Sequence, residues 1–227
     1  PTSPFLKNVL VLQLDATDIP TVIAGSYSPA NGVAFPDGTD DSHCYLFAWS
    51  GNGQKLWQRQ MGREFTSCVP LAIPRTEPPP VTRKAAAIFE DPRPNKAAPD
   101  LSQGVFAVVS RDPRYGAKQE VGAVWKVDAT GQQKGYYNAK AALYSWMVAD
   151  CGGMSQLRLL LTDRTGKLHV LDSNLNSLYD IQVVARRFDS VELVLDDVCD
   201  LNGDQNVELV MHSFQRRYLN PKLTFDG

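Results

Sequence analysis

At 227 residues, with 23 lysines and arginines against 25 aspartates and glutamates, the chain carries a formal net charge of −2 and an isoelectric point near 5.9. Its basic residues are scattered and form no stripe, which excludes the electrostatic footprint of a nucleic-acid binder, and no run of about 18 apolar residues is present to make a membrane span. A hydrophobic content of 43% suits one domain, or a large piece of one, with a sizeable core; no long window keeps a helical apolar stripe free of Gly and Pro, so an all-β chain is expected.

The first apolar stretch, Leu10 to Leu14, leads through Asp15-Ala-Thr-Asp18 into Thr21 to Gly25, two strands around a short acidic turn. After a segment from Ser26 to Ser42, the stretch Tyr45-Leu-Phe-Ala-Trp-Ser-Gly-Asn-Gly-Gln-Lys-Leu-Trp57 reads as strand, Gly/Asn hairpin turn and aromatic strand. The same order recurs in Ala123-Val-Trp-Lys-Val-Asp-Ala-Thr-Gly-Gln-Gln-Lys-Gly-Tyr136 and in Leu168-His-Val-Leu-Asp-Ser-Asn-Leu-Asn-Ser-Leu-Tyr179. Asp128 and Asp172, at equivalent turn positions, lie 44 residues apart, the length of one four-stranded repeat. Between these copies lie Arg75 to Lys84 with its Pro78-Pro79-Pro80 run, Asp91 to Gln103, and Arg111 to Glu120. Such proline-rich segments are stiff and stay out of sheet interiors. They and Ser26 to Ser42 serve either as recognition loops or as surface cover and packing, and the triple proline also suits a cap on a sheet edge.

One copy displays its strands most clearly. Leu143 to Ala149 is apolar, Asp150-Cys-Gly-Gly-Met-Ser-Gln156 is a loop, Leu157 to Thr162 is a strand, Asp163-Arg-Thr-Gly166 is a turn, and Lys167 to Asp172 pairs back. Further on, Val191 to Leu195 and Val207 to Met211 read as strands flanking a loop rich in side-chain oxygens. A last copy begins at Lys222-Leu-Thr-Phe-Asp-Gly227.

That loop carries the most specific chemistry. Asp200, Asn202, Asp204 and Glu208 alternate along a turning segment, and the Asn206 carbonyl adds a backbone oxygen. A hard cation such as Ca2+ takes six to eight oxygens, and alternate residues of a short loop aim that way. With Asp196 and Asp197 the segment concentrates carboxylates that repel one another unless a cation or solvent neutralises them. An EF-hand is excluded: its sixth and twelfth loop positions fall on Gln205 and Met211, and the flanks are strands. The competing reading is an ordinary polar hairpin turn with no metal.

The string Asp-x-Asn-Gly-Asp-x-x-x-Glu-Leu-Val resembles the repeat called FG-GAP or VCBS, found in the β-propeller of integrin α chains and in bacterial extracytoplasmic proteins. The resemblance implies a β-propeller of four-stranded antiparallel blades, with the acidic loop joining the first two strands of a blade. It carries Asp200, Asn202, Asp204 and Glu208 over as calcium ligands, while Gln205 stands where the family commonly has Gly. About three and a half blades are expected, at 5–62, 65–140, 141–184 and an incomplete 188–227. In the third, Asp150 alone survives of the ligand set, so no ion is expected there. Closed propellers generally need four to eight blades, so the chain reads as part of a longer propeller or, alternatively, as a small ring closed by a blade built from both termini. The start at Pro1-Thr-Ser-Pro4 in place of Met fits a processed or excised chain.

Four cysteines, Cys44, Cys68, Cys151 and Cys199, lack C-x-x-C spacing and so argue against zinc. Cys151 and Cys199 flank equivalent loops and are read as buried thiols, with a disulfide as the alternative. Of three histidines, His169 alternates within a strand and is read as structural. Trp49, Trp57, Trp125 and Trp146 are read as packing between repeats, with a sugar platform as the alternative. No G-x-S-x-G elbow, Walker loop or G-x-G-x-x-G occurs. Two functions are carried forward. One is a non-enzymatic binding or scaffold propeller, extracytoplasmic, meeting a protein or glycan partner through its inserted loops. The other is a module of an enzyme: the aromatic repeat also resembles quinoprotein dehydrogenase blades, some polysaccharide lyases use calcium propellers, and a sensor attached to a catalytic domain belongs to the same class.

Overall fold

A computed structural model describes residues 6–13, 19–73, 104–111, 122–150, 157–184, 190–199, 201–202 and 207–216. Among them every regular element is a strand, and no helix is long and apolar enough to cross a membrane. The first sheet is an antiparallel meander of β1 (Leu6–Leu12), β2 (Thr21–Ser26), β3 (Cys44–Ser50) and β4 (Lys55–Gly62). The second repeats that order with β5 (Thr66–Ala72), β6 (Val105–Arg111), β7 (Gly122–Val127) and β8 (Gln133–Asn138). The third has β9 (Leu143–Asp150), β10 (Leu157–Asp163), β11 (Lys167–Asp172) and β12 (Ser177–Gln182), and the fourth pairs β13 (Ser190–Cys199) with β14 (Glu208–Arg216).

The sheets stack face to face in chain order because their strands are apolar on both faces. In β6, Val105, Ala107 and Val109 join Ile23, Leu46 and Met61 of the first sheet in one core, while Phe106 and Val108 join Leu143, Leu159, Leu161 and Leu171 of the third in another. Alternate residues of a strand point to opposite faces, so a continuous apolar run is what a doubly covered sheet requires. Leu160 and Leu168 then pack with Leu195, next to Met147, Val170, Leu209 and Met211, to join the third sheet to the fourth. At the first and third of these joints the leading strands meet, with β5 against β1 and β2 and β13 against β9 and β10, while at the second β9 lies against β6. Backbones come close at Gly25, where a Cβ would stand 2.0 Å from the Cys68 carbonyl oxygen. Only glycine permits that approach.

In the second and third sheets, the turns between the third and fourth strands share one chemistry. Asp128 Oδ1 accepts from the backbone N–H groups of Thr130 and Gln132, at 2.9 Å each, and Asp172 Oδ1 accepts in the same way from Asn174 and Asn176. Burial opposes charge on Asp128, but the hydrogen bonds from Thr130 and Gln132 and the Lys134 ammonium outweigh it and hold the carboxyl down at about 2. These turns also fasten the sheets together. Trp57 Nε1 donates to the Ala129 carbonyl at 2.9 Å and the Arg59 guanidinium to that of Gly131 at 2.8 Å; one joint on, Lys126 Nζ lies 3.3 Å from Asn174 Oδ1.

Several strand limits differ from those expected. The first strand runs from Leu6 to Leu12, not from Leu10 to Leu14, and β13 and β14 extend to Cys199 and Arg216. Polar residues such as Asp196, Asp197, His212 and Ser213 masked that length, because they occupy strand positions open to solvent on an outlying pair.

Candidate functional site

The acidic loop closes the β13–β14 hairpin, with Cys199 opposite Glu208 in the last pair. Glu208 turns its carboxylate back over the loop: Oε2 accepts from the Leu201 N–H at 2.7 Å and Oε1 from the Asn202 side-chain amide at 3.3 Å. Two of the five expected donors, Asn202 and Glu208, are thereby brought together. Asp200, Asp204 and Asn206 lie outside the described residues, and so does the segment 151–156. Among the described residues no three His, Cys, Asp or Glu side chains converge as a metal-holding group. Asp196 has a partner of its own. It stands at a register shift in β13, and its Oδ2 lies 2.6 Å from His212 Nδ1.

A second polar constellation lies between the second and third sheets. Cross-strand pairing aligns Leu161, His169 and Asp180 across β10, β11 and β12, and Tyr137 reaches in from β8. His169, only 1% exposed, has a carboxylate at each ring nitrogen: Nδ1 is 2.7 Å from Asp180 Oδ1, and Nε2 is 3.2 Å from Asp163 Oδ2. The Tyr137 hydroxyl sits 2.9 Å from the same Nδ1 and 3.4 Å from Asp180 Oδ1. Burial disfavours a charged ring, but the Asp163 and Asp180 carboxylates outweigh it and hold the His169 pKa above its ordinary value. Burial likewise pushes up the Asp163 carboxyl, yet the bonds from His169, Thr165 and Lys167 leave it below the usual range. Burial, with Asp180 alongside, raises the Tyr137 hydroxyl to about 12. The group faces a cavity of about 530 Å³ between the sheets, which Lys140, Thr165 and Lys167 also line.

The alternation of His169 within its strand marked it as structural, and burial agrees. Its partners were hidden from the sequence, because Asp163 is needed for the turn and Asp180 is brought alongside only by the β11–β12 register. Asp163 does both jobs, capping Thr165 and Lys167 with Oδ1 and meeting His169 with Oδ2.

The loop between β2 and β3 is built on Asp41, another residue the sequence did not single out. Its buried carboxylate accepts from the N–H groups of Asn31, Gly32 and Val33 at 2.7, 3.0 and 2.9 Å. The loop lies on the first sheet's outward face: the Asp40 N–H donates to the Tyr45 hydroxyl, and the Gln58 amide to the Asp37 carbonyl. The other three insertions fall outside the described residues, apart from Arg111. Trp57, Trp125 and Trp146 border the inter-sheet cores, while Trp49 stacks on Phe47 at 5.2 Å between ring centroids. Cys44, Cys68 and Cys199 are free thiols, and Cys151 is outside the described residues. Burial drives the Cys44 thiol up to about 11 and the Cys68 thiol well above its ordinary value, so neither is poised as a nucleophile.

No protein-family model matches the chain, and no curated protein matches it.

Proposed function

We propose that the chain is part of a β-propeller of the FG-GAP or VCBS type, a non-enzymatic binding scaffold whose 200–208 loop holds calcium. The reading rests on one observation above the rest: Glu208, the last expected ligand, turns its carboxylate onto the Leu201 N–H and the Asn202 amide, which brings two of the expected ligands together. The serial stacking of antiparallel meanders, with leading strands adjacent at the first and third joints, supports the propeller part. In this reading Asp200, Asn202, Asp204 and Glu208 supply side-chain oxygens and Asn206 a carbonyl. The ion neutralises the loop's carboxylates and stiffens the rim that meets a protein or glycan partner in an extracytoplasmic setting.

A weak extracellular-type site has a dissociation constant of about 10⁻⁴ to 10⁻³ M. At about 10 mM calcium, mass action then adds about 1.4 to 2.7 kcal/mol of stability. For a chain of this size the melting temperature rises by about 3 to 10 °C. Differential scanning fluorimetry with calcium and with chelator measures it. Asp204→Ala is expected to abolish the rise and Asp150→Ala to leave it intact. A melting temperature indifferent to calcium removes the metal from the proposal.

A further inference from the structure

We propose that Asp163, His169, Asp180 and Tyr137 form a protonation-controlled latch, which clamps the edge strand β12 beside the inter-sheet cavity when the imidazole is charged and releases it when it is neutral. The inference does not depend on calcium or on the propeller reading.

The geometry carries it. An imidazolium donates from both ring nitrogens, and here both face carboxylates, one on β10 and one on β12. A neutral imidazole has one N–H and one lone pair. Whichever tautomer forms, one carboxylate then faces a lone pair, and a buried unsatisfied contact of that kind is costly. The two carboxylates are unequal. Asp163 is 2% exposed and keeps its backbone donors at Thr165 and Lys167, whereas Asp180 is 45% exposed and has water as an alternative. Release therefore falls on Asp180. Tyr137, whose hydroxyl reaches both His169 Nδ1 and Asp180, then donates to the Nδ1 lone pair and stays with the ring.

The surroundings make β12 the element able to move. Every residue from Ser177 to Gln182 is exposed, while β10 and β11 are buried by cores on both sides. The cavity beside the group gives the released side chains room. Facing His169 are Asp163 from β10, Asp180 from β12 and Tyr137 from β8; Lys167 of its own strand and Lys140 after β8 line the same cavity. Of these side chains, imidazole is the type whose ordinary pKa lies near neutral pH.

The sign follows from the raised imidazole pKa. The clamp is complete below the ordinary histidine value and is lost as pH rises through the higher value of the closed state. Hydrogen exchange across this range, corrected for the intrinsic pH dependence of exchange, reads the opening directly. The β12 amides are expected to lose about tenfold protection for each unit by which closure raises the imidazole pKa, while β10 amides hold theirs. Asp180→Asn, an exposed change that leaves the core intact, is expected to abolish the step and to lower the His169 pKa followed by NMR of its ring protons. Tyr137→Phe keeps the step in β12. A β12 whose protection does not change with pH, a step that survives Asp180→Asn, or a His169 pKa at or below the ordinary value overturns the latch.

Discussion

Carboxylates in this protein act mainly as acceptors for backbone N–H groups. Asp128, Asp163 and Asp172 each organise a hairpin turn, and Asp41 gathers three N–H groups of a longer loop. Burial separates Asp41 and Asp163 from Asp128 and Asp172, which are partly exposed. Asp41 is 3% exposed, so removing it strands three donors where water does not readily replace it. Hydrogen bonds to charged groups contribute about 1.5 to 3 kcal/mol each, but several on one group are not additive. Asp41→Ala is expected to cost about 3 kcal/mol in urea unfolding, and Asp41→Asn less, because the amide oxygen still accepts. A loss under about 0.5 kcal/mol, the size of an ordinary surface change, would show that the loop's fold does not depend on this carboxylate.

The hairpin elements were the part most legible in the sequence. Short-range chemistry sets them: Asp and Gly at fixed offsets between apolar runs define the turns at 128–132 and 163–167 before any tertiary contact is known. The stacking partner of each strand was less legible, although continuous runs such as Val105 to Val109 signal cover on both faces. The His169 group was not legible at all, because its four members sit on four different strands and meet only through register and sheet packing. For the same reason Trp57 could be assigned to packing but not to its acceptor, 72 residues away on the β7–β8 turn. Trp57→Phe keeps most of the apolar contact with that turn and deletes the indole donor. The expected cost is about 1 kcal/mol, measured from the denaturation midpoint at unchanged slope. A neutral result would mean that water serves the Ala129 carbonyl equally well.

Across the whole molecule, the two large cores decide whether the sheets unfold singly or together. The second sheet is covered on both sides, so neither the first nor the third buries its facing residues without it. Phe106 is fully buried in the core shared with the third sheet, while its strand neighbours Val105 and Ala107 belong to the core shared with the first. Phe106→Ala is expected to cost about 3 to 5 kcal/mol. If the stack unfolds as one unit, that loss appears equally in the slowest-exchanging amides of β3 and β10, although β3 does not touch the altered side chain. If the sheets open one at a time, β10 loses protection and β3 keeps it. Equal loss is the expected outcome, since opening the second sheet also exposes Ile23, Leu46 and Ala48 of the first, and that exposure makes the intermediate with one sheet detached too costly to populate.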